Sequence, residues 1–122
     1  MSALTDEDKV YLQNSGYIFE EVGRCVILKG RKLPDGKFDN EFVDIMIELP
    51  ARYPHTAPDM FYLLPWVKLA QVNRYPNAAN VSKNFNGQNW QRWSRHNNEW
   101  RPGIDGIWTM LKRVEHALEI AS

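Results

Sequence analysis

The chain has 122 residues, 43% of them apolar and 25% charged, with 15 basic side chains against 15 acidic ones. That length suits a single domain spanning residues 1–122 with one core, in the ordinary balance of a folded chain. A formal net charge of zero excludes a histone-like or polybasic protein and an acidic disordered tail. No apolar run approaches the roughly 18 residues of a membrane span. The opening MSALTDEDKV is acidic and polar where a secretory signal is basic and then apolar, so a cytoplasmic protein without membrane contact is expected. Cys25, the single cysteine, can form neither an internal disulfide nor, alone, a thiolate metal site.

Thr5 is a good helix N-cap, and Asp8 three positions on nearly completes a capping box. Asp6, Glu7 and Asp8 suit the positive end of the helix dipole, and Asn14-Ser15-Gly16 supplies the stop. This predicts a short helix of about two to three turns that needs docking to persist. From Tyr17 the period changes. Tyr17 to Val22 and Arg24 to Lys29 read as strands, with Gly23 as a turn or bulge between them. Leu33-Pro34-Asp35-Gly36 is a turn signal. Val43, Ile45, Ile47 and Leu49 alternate with Asp44, Met46 and Glu48, which predicts a strand with one buried face. Met60 to Leu64 is a shorter apolar strand. A four-stranded antiparallel meander therefore follows the helix.

Pro65 to Arg101 shows neither strand nor helix period. It holds five Asn between Asn73 and Asn86, and six basic residues against Glu99 alone. By contrast, Met1 to Pro50 holds six basic residues and ten acidic ones. Trp66, Tyr75, Phe85, Trp90, Trp93 and Trp100 lie in the basic segment. Disordered stretches are poor in aromatics, so a long ordered irregular loop is expected, and such loops are usually functional. Two readings stand for its composition. Aromatics interleaved with cations can bind single-stranded nucleic acid by stacking and phosphate neutralisation. Alternatively the rings pin the loop down and the charges form its wet face.

The chain closes with a helix. Pro102 can open it and Asp105 lies in its first turn. Ile107, Trp108, Leu111, Val114, Leu118 and Ala121 share one face, with Lys112, Arg113 and Glu115 elsewhere. The apolar stripe is expected to pack on the sheet as core. The fold class is therefore α+β: short N-terminal helix, four-strand meander, long loop, C-terminal helix packed on the sheet.

That order resembles the ubiquitin-conjugating (UBC) fold, and particular residues sharpen the likeness. Leu49-Pro50, Tyr53-Pro54 and Pro58 leading into Met60 and Phe61 resemble that family's YPxxPP segment. Tyr75-Pro76-Asn77 resembles its His-Pro-Asn motif with Tyr for His. Asn86-Gly87 resembles the Asn-Gly three positions before the catalytic cysteine, and Trp100-Arg101-Pro102 the Trp-Ser-Pro that opens the next helix. Through Trp90 to His96 and Trp100 to Gly103 the chain is similar to the prokaryotic ubiquitin-conjugating-like family E. That resemblance implies a place in a bacterial ubiquitin-like conjugation pathway, some of which act in antiviral defence. It implies as partners a ubiquitin-like modifier or an activating or conjugating enzyme.

The cysteine register, however, holds Trp90, and an indole cannot replace the thiolate nucleophile. Cys25 sits in the run Arg24-Cys25-Val26-Ile27-Leu28, which reads as a buried strand where a thiol acts as a small hydrophobe. Ser94 and His96, two apart, would point away from each other in a strand, and the loop holds no Asp to orient the imidazole, with Glu99 the one acid able to fold back. A conjugating enzyme with Ser94 as nucleophile stays as an alternative, with Ser82 earlier in the loop. Asn77 matches the asparagine that supports the oxyanion in active relatives; without a thioester its expected task is to hold the loop by side-chain to backbone bonds. His55, His96 and His116 have no metal-ligand spacing, and no glycine-rich phosphate loop occurs. No catalytic residue, metal or cofactor is therefore assigned, and a non-catalytic partner or adaptor is expected. Arginine beside aromatics is enriched in interface hot spots. Trp66, Arg92, Trp93, Arg95 and His96 are the candidate partner contacts. Trp100 is expected under the loop and Trp108 in the core.

Overall fold

The computed structural model describes residues 2–95 and 99–122. Helix α1 (Asp6–Asn14) begins with the capping box that the sequence predicts: the Asp8 amide donates to the Thr5 hydroxyl at 3.1 Å, and the Thr5 amide donates to the Asp8 carboxylate at 3.2 Å. It ends in a Schellman arrangement. The Gly16 and Tyr17 amides donate to the Gln13 and Leu12 carbonyls at 3.2 and 3.0 Å, with Gly16 at φ +76°, the left-handed turn that glycine adopts without strain.

Strands β1 (Phe19–Val22), β2 (Cys25–Lys32), β3 (Phe42–Glu48) and β4 (Met60–Leu64) form the predicted antiparallel meander. The sheet does not stop there. Within the segment read as a loop lie β5 (Val81–Phe85) and β6 (Gln88–Ser94), giving six strands among the described residues in the order β1-β2-β3-β4-β6-β5. Asn86-Gly87 is the tip of this hairpin, with φ of +52° and +78°. Positive φ at both central residues is the type I′ pattern that suits the twist of a two-residue hairpin and favours Asn-Gly. Residues 65–80 remain irregular.

The inner face of the sheet carries Val26, Leu28, Ile45, Ile47, Phe61, Leu63 and Trp93. Helix α2 (Ile107–Ile120) packs on it through Ile107, Met110, Leu111, Val114, Ala117 and Leu118, beside Leu12 of α1. Two expectations need correction here. Trp108 is only half-buried, and Met110 and Ala117 fill the core in its place. Nor does Pro102 open the helix. Residues 101–105 form a turn in which the Asp105 carboxylate accepts from the Arg101 amide at 2.8 Å, from its guanidinium at 2.9 Å and from the Thr109 hydroxyl at 3.1 Å. The carboxyl thus spent on the turn leaves Gly106 as the N-cap.

The hydrogen bond from Arg101 holds the buried Asp105 carboxyl down to about 2. A carboxyl depressed in the folded chain and ordinary, about 3.9, in the unfolded one contributes its stability in full above the higher value and loses it as pH falls towards the lower. The urea midpoint of the wild type is therefore expected to fall faster between pH ~4 and ~2 than that of Asp105→Asn, with parallel curves above that window.

A second cluster occupies the outer face, where the sequence suggests a wet side. Cys25, Ile27, Met46, Tyr62 and Trp90 are all buried there, flanked by Val22, Met60, Leu64 and Phe85, with no helical residue among them. Met46, expected among the polar alternates of β3, is completely enclosed. The Lys83–Glu48 ion pair, 3.2 Å long, borders this cluster, and the Lys83 ammonium stands 5.4 Å from the Tyr62 ring centre.

Candidate functional site

The motif residues gather around β6. Trp90 stands opposite Lys83 in the ladder, only 1% exposed, with an indole N–H that has no hydrogen-bond partner among the described residues. Trp90 thus holds a mid-strand position facing the outer cluster. Two residues on, Arg92 lies on the same face, opposite Tyr62, half-buried, its Nε likewise without a hydrogen bond.

Trp93 points the other way. It is fully buried, stacked on Phe61 with centroids 5.4 Å apart and edge-on to Phe38 at 6.0 Å. This corrects the expectation that its indole contacts a partner: the ring is core, and the Arg95 guanidinium lies 5.2 Å above it. Arg95 donates to the carbonyls of Ser94 at 2.7 Å and Asn77 at 3.4 Å, and it lines a groove beside α2. Trp66 is half-buried at the start of the irregular segment; its indole donates to the Asn89 carbonyl at 3.0 Å and meets the Tyr75 ring edge-on at 5.4 Å. His96 lies outside the described residues, and with it the Ser94–His96 pair. The candidate contacts therefore divide: Arg92 on the outer face, Arg95 beside α2, Trp66 with Tyr75, and Trp93 inside.

Asn77 is exposed. The bonds formed at this residue are those of its backbone: the amide donates to the Ser122 carbonyl at 3.0 Å, and the carbonyl accepts from Arg95. This corrects the expectation of side-chain to backbone bonds: Asn77 is tied in by its main chain. The side chain that does the holding is one the sequence reading passes over. Gln91 is fully buried on the inner side. Its amide accepts from the Val67 N–H at 3.0 Å and donates to the carbonyls of Val67 at 2.9 Å and Ala79 at 2.8 Å. A long amide among alternating aromatics in a strand was the available signal, because an irregular segment needs partners for its buried backbone groups.

The thiol is poorly placed for attack. Cys25 is 3% exposed; burial first, then the neighbouring Glu48 carboxylate, push it above its ordinary value against the opposing pull of Lys83. Little thiolate forms in such a setting. Native protein at neutral pH is expected to react with Ellman's reagent at least about tenfold more slowly than the urea-unfolded chain.

The stacking platform required for nucleic acid is also divided. Trp90 and Trp93 are buried on opposite faces, and Trp100 is half-buried with its indole donating to the Pro54 carbonyl at 2.8 Å. Of the six cations, Lys83 pairs with Glu48 and Arg101 with Asp105. The local charge does not form one continuous basic face. Among the described residues no group of three or more His, Cys, Asp or Glu is arranged to hold a metal ion, and no helix is long and apolar enough to cross a membrane.

A short helix, an antiparallel meander and a closing helix across its inner face, carrying the proline-rich and Asn-Gly landmarks in order, define a UBC-like protein. The family profile of prokaryotic E2 family E matches residues 4–121, and the chain belongs to that family. No curated protein and no solved structure matches it. Membership makes it a UBC-like protein of a prokaryotic conjugation pathway.

Proposed function

We propose that this is a non-catalytic member of its family, which binds a ubiquitin-like modifier, or the activating or conjugating enzyme of the same pathway, and positions it without forming a thioester. One observation carries the reading. The register of the nucleophile is occupied by Trp90, enclosed in mid-strand, while the single thiol is buried with its ionisation suppressed. Trp66, Arg92 and Arg95 supply the accessible contacts, with Trp93 supporting Arg95 from below. The proposal extends to antiviral defence, the setting of some such operons. There, deletion of the reading frame is expected to raise phage plating, and unchanged plating removes that extension.

The test combines the protein with ATP, the modifier and the activating enzyme of its own host, and follows adducts with and without dithiothreitol. No covalent adduct on this chain is expected, while the tagged protein purified from the host at moderate salt retains a pathway protein identified by mass spectrometry. A dithiothreitol-sensitive adduct that disappears in Cys25→Ser overturns the non-catalytic reading. A dithiothreitol-resistant, alkali-labile adduct that disappears in Ser94→Ala also overturns it, in favour of a serine route.

A further inference from the structure

We propose that the groove between α2 and the β4–β6 side of the sheet docks an acidic, amphipathic peptide segment of a partner protein. The groove encloses about 420 Å³, within the range of built ligand sites and enough for several apolar side chains. Phe61, Met110, Val114 and Ala117 contribute apolar side chains to its lining, and Ile120, 62% exposed, contributes another from the end of the helix. Its charged lining is of one sign: Arg95 from the end of β6, with Lys112 and Arg113 from α2, and His116 beside them. No carboxylate lines it among the described residues.

The asymmetry is built into the helix. Residues three and four apart share a helical face, so positions 109, 112, 113, 116 and 120 look into the groove. Glu115 and Glu119 instead line the adjoining flank, against the turn at Leu33, Pro34 and Asp35. In a chain of zero net charge, the groove itself is thus lined by basic side chains, while the α2 carboxylates lie just outside it, three residues from Lys112 and from His116. Arg95, Lys112 and Arg113 form no ion pair among the described residues. Arg95 is held instead by two backbone carbonyls and the Trp93 ring, and the Arg113 Nε is buried without a hydrogen bond. Half-desolvated guanidinium groups gain most from an anionic acceptor. An apolar floor inside a cationic rim fits a segment whose leucine-like side chains enter the groove while its Asp and Glu meet the rim, the groove mode of peptide recognition. This inference does not depend on whether the protein forms a thioester.

A random dodecapeptide display library selected on the intact protein tests it. The expected winners carry two or more apolar residues flanked by Asp or Glu. A synthetic winner is expected to bind more weakly as salt rises, at least about fivefold more weakly to Lys112→Glu, and by a smaller factor to Lys112→Gln, because rim charges act through screened attraction. Lys112 is solvent-exposed, so folding is retained, which unchanged urea midpoints verify. Selection of neutral or basic peptides, failure to enrich any sequence, or affinity indifferent to both substitutions overturns the proposal. So does binding to phosphatidylserine vesicles or a concentration-dependent dimer that Lys112→Glu abolishes, either of which assigns the groove to a different occupant.

Discussion

Replacing Gln91 with methionine is expected to lower stability by about 3 kcal/mol, read as a drop in the urea midpoint with little change in slope. Methionine conserves most of the volume, so the loss isolates hydrogen bonding. It strands the Val67 N–H and the carbonyls of Val67 and Ala79. Both residues are fully buried, and an orphaned buried polar group costs about 1–3 kcal/mol. Three such groups would reach more, but the exposed residues around them admit water and recover part of the loss. Gln91→Glu is expected to be no better, because a carboxylate satisfies the Val67 amide and repels both carbonyls. The effect has a location as well as a size. The Gln91 amide ties residues 67 and 79 to β6, and between them runs Tyr75-Pro76-Asn77. Hydrogen exchange at the Val67 amide is therefore expected to accelerate more than at Ile45 in the meander; equal acceleration would make the loss global and refute the anchoring role.

The second large effect is expected at Asp8. Its carboxylate completes the α1 capping box, accepts from the Tyr53 hydroxyl at 2.6 Å, and accepts from the Ile107 amide at the first turn of α2 at 3.0 Å. One buried side chain thus serves the N-termini of both helices, where unpaired amides and the dipole favour an anion. Burial first, and the bond to Asp8 second, push the Tyr53 hydroxyl far above its ordinary value, so it acts as a permanent donor. Asp8→Ala is expected to lose about 3 kcal/mol, Asp8→Asn less, and Tyr53→Phe about 1 kcal/mol. That ranking, measured by urea denaturation, checks the assignment; a Tyr53→Phe loss as large as Asp8→Ala would refute it. The fit is close on the other side too. A Cβ added at Gly106 would lie 2.8 Å from the Asp8 Oδ1, so Gly106 is there for space, its φ of −157° being open to any residue.

Local chemistry explains which parts were legible. Thr5 with Asp8, Gly16, and the inward set Val43, Ile45 and Ile47 each state their structure within a few residues and were found as read, whereas Met46 between them is enclosed on the other face. The hairpin of β5 and β6 was hidden because Asn86-Gly87 carries two meanings: a landmark before a nucleophile and the commonest hairpin tip. Its strands also lack an apolar alternation. Val81, Lys83 and Phe85 face Arg92, Trp90 and Gln88, and their burial comes from cross-strand neighbours, which a single strand does not display. Gln91 was missed for the complementary reason. It looks like a surface residue until the irregular segment it binds has been placed. Of the site, the split between Arg92 and Arg95 follows from strand alternation, but the groove that Arg95 borders exists only once α2 lies across the sheet.

Trp90 also bears on what a thiol placed at its position would meet. Its indole fills the outer-face cluster with Cys25, Ile27, Met46 and Tyr62, so exchanging it for cysteine would open a void on that face and bury the thiol in it. The indole is part of what keeps the sheet covered. Placing a reachable thiol there would need the void refilled and the strand end reopened together, several substitutions of which the first is a loss. Packing of this kind ties the identity of one residue to its neighbours: on this face a change of chemistry and a loss of cover arrive together.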